Sequence, residues 1–378
     1  MMARTSAAAA NGRGGARRTV VVKIGTSSIT DEEGHIVEKA IAKLAGEVAE
    51  LRSMGSDVVV VTSGAVAAGL RVLGIHPRPS DPAVLQAVSA VGQGRLMGHY
   101  ERAFDAAGLA TGQVLLAPLD FFNRAQYLHA RQTLALLLSL GVVPVVNEND
   151  AIADDEIRFG DNDRLAALVA HLVHADLLVL LTDAAGLFTA DPRLDSQARL
   201  VEEVAEVDQV LALAGGAGSE RGSGGMASKL AAARIAAWSG VPAVIAAAER
   251  PQVLVDAAGS VPGVGTYVRA RPSRLPARKL WIAFAIAPAG RVVVDAGARQ
   301  ALLDKGVSLL PAGVREVHGE FMPDEAVEVA GPDGVVFAKG LVRHSSRSLT
   351  EWAGRRTSEL PADMPAEVVH RDDLVLLP

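Results

Sequence analysis

The 378-residue chain contains no cysteine. Disulfides, thiolate nucleophiles and cysteine-ligated metals are therefore excluded, and a secreted disulfide scaffold finds no support. Long apolar runs are missing too. The longest uncharged one, residues 133–146, is broken by Gly141 and Pro144 and is too short to span a bilayer. The expectation is a soluble, cytoplasmic protein with no membrane segment. Residues 1–18 carry Arg4, Arg13, Arg17 and Arg18, no acid, and no apolar segment behind them, so they read as a disordered tail rather than a signal peptide. What remains is globular in composition, with 49% hydrophobic and 21% charged residues, and long enough for two domains.

From residue 19 to about residue 268, strand-like and helix-like segments alternate. Residues 19–24 form a β-branched run, and residues 37–54 follow with Ile41, Leu44, Ala45, Val48 and Leu51 at helical spacing. Further strands are predicted at 57–62, 113–116, 142–147, 177–182 and 243–246, with helices at 125–140, 164–171 and 225–239. This alternation implies an α/β fold whose largely parallel sheet is covered by helices on both faces. Residues 269–279 hold five basic residues and two prolines, so 269–280 reads as a linker. Beyond it, short strands are predicted at 281–286, 291–294, 314–318, 326–329, 334–339 and 368–369, with a Gly-Pro-Asp-Gly turn at 331–334. They suggest a small β-barrel or sandwich over residues 281–378.

Four polar clusters fall where a predicted strand ends, the edge at which open α/β sheets bind ligands. Lys23-Ile24-Gly25-Thr26-Ser27 suits an anion, with backbone N–H groups and an ammonium close together, although a turn with a solvated lysine fits the same residues. Thr62-Ser63-Gly64-Ala65 lets a carboxylate or phosphate approach at Gly64, or is a tight turn with a capping serine. Asn147-Glu148-Asn149-Asp150 and Gly160-Asp161-Asn162-Asp163-Arg164 bracket a polar loop. Their amides can donate and accept, and so can hold an amino acid's carboxylate and ammonium together. A calcium loop or a plain solvated loop are the alternatives, but the spacing is not that of an EF-hand.

The fourth cluster joins Thr182-Asp183 to the run Gly222-Ser223-Gly224-Gly225-Met226-Ala227-Ser228-Lys229, which could cradle phosphate or serve as a flexible linker. It is not a Walker A loop, because Ser228 stands where that motif requires glycine. No G-x-G-x-x-G follows a predicted strand, so a Rossmann dinucleotide site is unsupported.

Taken together, residues 23–27, 61–65, 146–150, 160–163, 181–183 and 224–229 resemble the signature blocks of the glutamate 5-kinases, a family within the amino acid kinases. The resemblance runs from about Thr19 to the C-terminus and includes a PUA-like C-terminal region. It implies phosphorylation of the side-chain carboxylate of L-glutamate by ATP with Mg²⁺, the first step of proline biosynthesis. Lys23 and Lys229 would contact the phosphates and the transferring group, and Asp163 would orient the two lysines. Ser63, Asp150 and Asn162, with Asn147 beside them, would bind glutamate. Thr182, Asp183 and the loop Ser223, Gly224, Gly225, Met226, Ala227, Ser228, Lys229 would hold the nucleotide. No protein ligand to the metal is named. The resemblance also implies homo-oligomers and feedback inhibition by proline. Ser223 departs from the family's frequent threonine but keeps the hydroxyl.

The chemistry is consistent with this set. A glutamate side chain, with a reference pKa near 4.3, is already an anion at neutral pH and needs no general base. It does need charge neutralisation and alignment against a polyphosphate. Other readings are a kinase for another acid such as N-acetylglutamate, a catalytically dead amino acid sensor, or an RNA-binding protein acting through the PUA-like region. Residues 281–378 carry ten Lys and Arg against fourteen Asp and Glu, a balance that disfavours RNA.

Overall fold

The computed structural model describes residues 17–31, 33–121, 123–152, 162–215, 225–284, 286–361 and 364–377. Eight strands form the larger sheet: β1 (Thr19–Ile24), β2 (Asp57–Val61), β3 (Thr111–Leu116), β4 (Val143–Glu148), β5 (Leu177–Thr182), β6 (Glu203–Val204), β7 (Ala243–Ala247) and β8 (Thr266–Val268). Their order is β3-β4-β2-β1-β5-β7-β8-β6, parallel throughout except where β7 meets β8. The central strands TVVVKI, DVVVV and LLVLLT are near-continuous apolar runs because both of their faces are covered.

Alternation along the strands sorts their side chains between two cores. Val21, Val59 and Leu180 meet the helices Arg124–Ser139, Asn162–Leu172 and Met226–Trp238. Val20, Val22, Val58 and Val60 meet Glu38–Ser53, Pro82–Ala106 and Val253–Ala258.

Two helices on the second face touch backbone to backbone. A Cβ on Gly92 of Pro82–Ala106 would lie 1.8 Å from the Ala65 carbonyl oxygen. One on Gly69 of Ala65–Leu73 would lie 2.0 Å from that of Val88. Only glycine permits this approach, which seats the long helix directly behind the turn at Ser63 and Gly64.

The smaller sheet holds β9 (Gly290–Val294), β10 (Val314–Gly319), β11 (Ala326–Ala330), β12 (Val336–Leu341) and β13 (Leu374–Leu376), in the order β10-β9-β11-β12-β13. The turn predicted at 331–334 closes with Gly334 N–H donating to the Gly331 carbonyl at 3.0 Å, between β11 and β12. Two other expectations are corrected. The strand expected at 281–286 is not formed over 281–284, because Ala277–Phe284 is a helix. A short apolar run carries no periodicity that separates the two, and here its surroundings decide. Leu280 and Ile282 are buried together with Trp238 on one side and Ala326, Leu341 and Val375 on the other. Residues 368–369 contribute only an isolated bridge between Leu309 and Val369.

The same helix, with the segment just before it, joins the two sheets. Phe284 meets Trp238 edge-on at 5.3 Å, Arg271 stacks over the Trp238 ring at 4.1 Å, and Leu275 N–H donates to the Trp238 carbonyl at 3.0 Å. Among the described residues no helix is long and apolar enough to cross a membrane. The expected tail lies outside the described residues from 1 to 16.

Candidate active site

The carboxyl ends of β4, β2, β1 and β5 stand side by side in that order. They present Asn147 and Glu148, then Ser63 just beyond β2, then Lys23, then Thr182 and Asp183. With strands about 4.8 Å apart, the row spans roughly 14 Å, long enough for a small amino acid end to end with a phosphate chain. A cleft of about 500 Å³ opens over it.

Asp163 lies at the middle of the floor. It is the second residue of the helix Asn162–Leu172, where an acid also complements the helix dipole, and its side chain is fully buried. Lys23 Nζ lies 2.6 Å from Asp163 Oδ1, and Lys229 Nζ lies 3.2 Å from Oδ2. Lys229 also donates to the Gly225 carbonyl at 3.3 Å. A single carboxylate thus holds two ammonium groups that would otherwise repel, and the trio keeps one net positive charge facing the cleft. Preorganised cations are what a phosphoryl group in transfer requires.

Toward β4, amides and hydroxyls stand with the carboxylates of Glu148 and Asp150. The two hydrogens of Asn162 Nδ2 are shared among three acceptors, the Thr62 carbonyl, Ser63 Oγ at 3.0 Å and Asn147 Oδ1 at 2.7 Å. Asp150 Oδ2 accepts from Ser89 Oγ at 3.0 Å. Behind them Tyr100 and Thr62 share a 2.7 Å hydrogen bond. Burial pushes the Tyr100 hydroxyl well above its ordinary pKa, against the opposing pull of that bond, so it stays a neutral phenol. Toward β5, Thr182 Oγ1 donates to Asp183 Oδ1 at 2.9 Å.

Lys23, Ser63, Asn147, Asp150, Asn162, Thr182, Asp183, Gly225 and Lys229 all line the cleft, with Asp163 beneath. Met226, Ala227 and Ser228 form the first turn of the helix that carries Lys229 and are not part of the lining. Ser223 and Gly224, like Gly160 and Asp161, lie outside the described residues. Arg78 lines the cleft without any signal in the sequence, since it sits in an irregular proline-containing stretch. Ser89, Gln93 and Tyr100 were also missed. Their only trace is a line of polar groups down one face of a helix, which sequence alone cannot aim at a site.

A model of the amino acid kinase family matches residues 18–247, and one of the PUA domain matches residues 290–362. The first match takes in both the cleft and most of the large sheet, and the chain belongs to the amino acid kinase family. Glutamate 5-kinase of Desulfitobacterium hafniense is 44% identical over 364 residues, covering 95% of this chain and 98% of the relative. That of Gloeobacter violaceus is 48% identical over 366 residues, with 95% and 99% covered. Within the larger family, the branch to which this chain belongs is the glutamate 5-kinases. Among solved structures, carbamate kinase from Giardia lamblia superposes with a TM-score of 0.51 at 19% identity, covering 68% of this chain and 99% of the other, a likeness of fold.

Proposed function

We propose that this chain transfers the terminal phosphoryl group of ATP to the side-chain carboxylate of L-glutamate, giving the acyl phosphate that opens proline biosynthesis, in the cytoplasm. The observation that carries this reading is the position of the Lys23–Asp163–Lys229 bridge. It lies at the carboxyl end of β1, which carries Lys23, between a half toward β4 lined by amides, Glu148 and Asp150 and a half toward β5 that holds Thr182, Asp183 and Gly225. Glutamate would lie in the first half, its ammonium near Asp150 and Asn162 and its α-carboxylate near Ser63 and Asn147. The nucleotide would lie in the second, with Ser223 to Lys229 around its phosphates.

The nucleophile arrives already ionised, so the site has no proton to remove. Its task is to bring an anion against a polyanion, and the lysines lower that repulsion while Asp163 fixes their geometry. A polyphosphate carrying its own Mg²⁺ suits these donors. The buried carboxylate is committed to two lysines, and among the described residues Glu148, Asp150 and Asp183 are the carboxylates lining the cleft. The ion would be held mainly by phosphate oxygens and water. When bound, it supplies further charge neutralisation.

Incubation with Mg·ATP and hydroxylamine should convert glutamate to its hydroxamate, at a rate above that with aspartate or N-acetylglutamate. An acetylated amine carries no charge for Asp150 to meet, so faster turnover of N-acetylglutamate would overturn the substrate assignment. Proline, which shares the α-carboxylate and α-nitrogen but has no carboxylate to phosphorylate, would compete in the same half. Self-association completes this reading.

A further inference from the structure

One helix backs the amino-acid half of the cleft. Ser89, Gln93 and Tyr100 of Pro82–Ala106 are spaced by four and seven residues, share one face, and are all buried. Together they reach the ends of two neighbouring strands, β4 and β2. Ser89 donates to Asp150, Tyr100 bonds Thr62, and Gln93 Oε1 accepts from Asn147 Nδ2 at 2.7 Å.

Two main-chain groups set the direction of this network. The Thr62 carbonyl can only accept, so Asn162 turns its NH₂ group toward it. The Glu148 N–H can only donate, so Asn147 turns its oxygen toward it, at 3.0 Å. That oxygen also takes the Asn162 NH₂ group. Asn147 Nδ2 is left facing the helix, where it needs an acceptor, and Gln93 supplies one. The chain of amides then ends in two buried atoms without a partner among the described residues, Asn162 Oδ1 and Gln93 Nε2. Asn162 lines the cleft, and an acceptor there matches the ammonium group of an amino acid.

We propose that Gln93 is a positioning residue for amino-acid binding. Its side-chain oxygen holds the Asn147 amide against Asn162, whose orientation the Thr62 carbonyl fixes, and so keeps in place the residue that offers the substrate ammonium an acceptor. The identity of that ammonium rests on the function proposed above, whereas the amide relay does not. Without the Gln93 oxygen, the Asn147 NH₂ group is stranded in a buried place. It must swing or flip, and either movement withdraws Asn147 Oδ1 from Asn162 and from the Glu148 N–H. Asn162, which lines the cleft, then loses a support, while the nucleotide half is untouched.

Steady-state kinetics of the full chain would test this with three variants. Gln93→Met keeps the length and removes the acceptor. Gln93→Asn draws the oxygen back by one methylene and serves if the methionine variant does not fold. Gln93→Glu keeps an acceptor oxygen whether ionised or not. The first two should raise the amino acid KM about tenfold or more, the scale of one stranded buried hydrogen-bond group. The ATP KM should stay within about twofold of wild type. Gln93→Glu should restore most of the amino acid affinity. An unchanged amino acid KM, an equal rise in both KM values, or a glutamate variant as impaired as methionine would each overturn the relay. The acid used is whichever of glutamate, aspartate and N-acetylglutamate the wild-type enzyme turns over best. A preference other than glutamate would then correct the substrate and leave the relay still under test.

Discussion

Exchanging Asp163 for asparagine is expected to cost about 3–5 kcal/mol of stability, the range for stranding a buried charge by removing its partner, and to abolish turnover. The amide has nearly the shape of the carboxylate, so packing is conserved and the effect is electrostatic. Lys23 and Lys229 have side chains only 4% and 9% exposed, and their nitrogens lie within 2.6 and 3.2 Å of the carboxylate they share. Without its charge, two ammonium groups face each other in a place from which water is mostly excluded. Denaturant melts of wild type and variant read the difference directly. A melt within about 1 kcal/mol of wild type would show that the carboxylate is not the clamp described here.

Lys229→Ala should give the opposite pairing of effects. Turnover should fall by about 10²–10³, the usual loss for one preorganised electrostatic donor, while the melt stays near that of wild type. The physical reason is charge arithmetic. Removing one lysine leaves Asp163 with Lys23, a neutral pair, where removing Asp163 leaves two like charges. Alanine is also the best helix former, and position 229 lies within the helix Met226–Trp238. Near-normal turnover would take Lys229 out of the chemistry. A large loss of stability would mean that its role is structural. Measured side by side, the two variants separate a residue that acts on the substrate from one that acts on its neighbours.

Much of this architecture is legible in the sequence because parallel strands buried on both faces announce themselves. TVVVKI and LLVLLT can hardly be anything else, and the polar residues that follow such strands mark the ligand edge. Strand order is another matter. Nothing in the spacing says that β5 follows β1 in the sheet, yet that adjacency places Lys23 between Ser63 and Thr182. The two-residue β6 is too short to carry any period. Residues 281–284 misled because an apolar segment pressed between two layers shows no polar face to reveal its pitch. Gln93 and Ser89 stayed hidden for a related reason. A polar side chain on a helix usually meets water, and only the contact at Gly69 and Gly92 turns this face inward.

The helix Ala277–Phe284 has a bearing on how the chain can be divided. Leu280 and Ile282 fill space against Trp238 and against Ala326, Leu341 and Val375 at once, so a change of volume at either position is felt on two sides. A fragment cut ahead of this helix would bare the side of the Trp238 indole that meets Phe284, although Arg271 would still stack on the ring. Lys229, nine residues back on that helix, lies roughly 14 Å away along the axis. Such a fragment could keep every cleft residue and still be sticky, because what it loses is a lid over an aromatic ring. A cut placed after Phe284 would keep the ring covered but bare Leu280 and Ile282 on their other side. Neither piece comes away clean, and the joint behaves as a hinge pin common to both leaves.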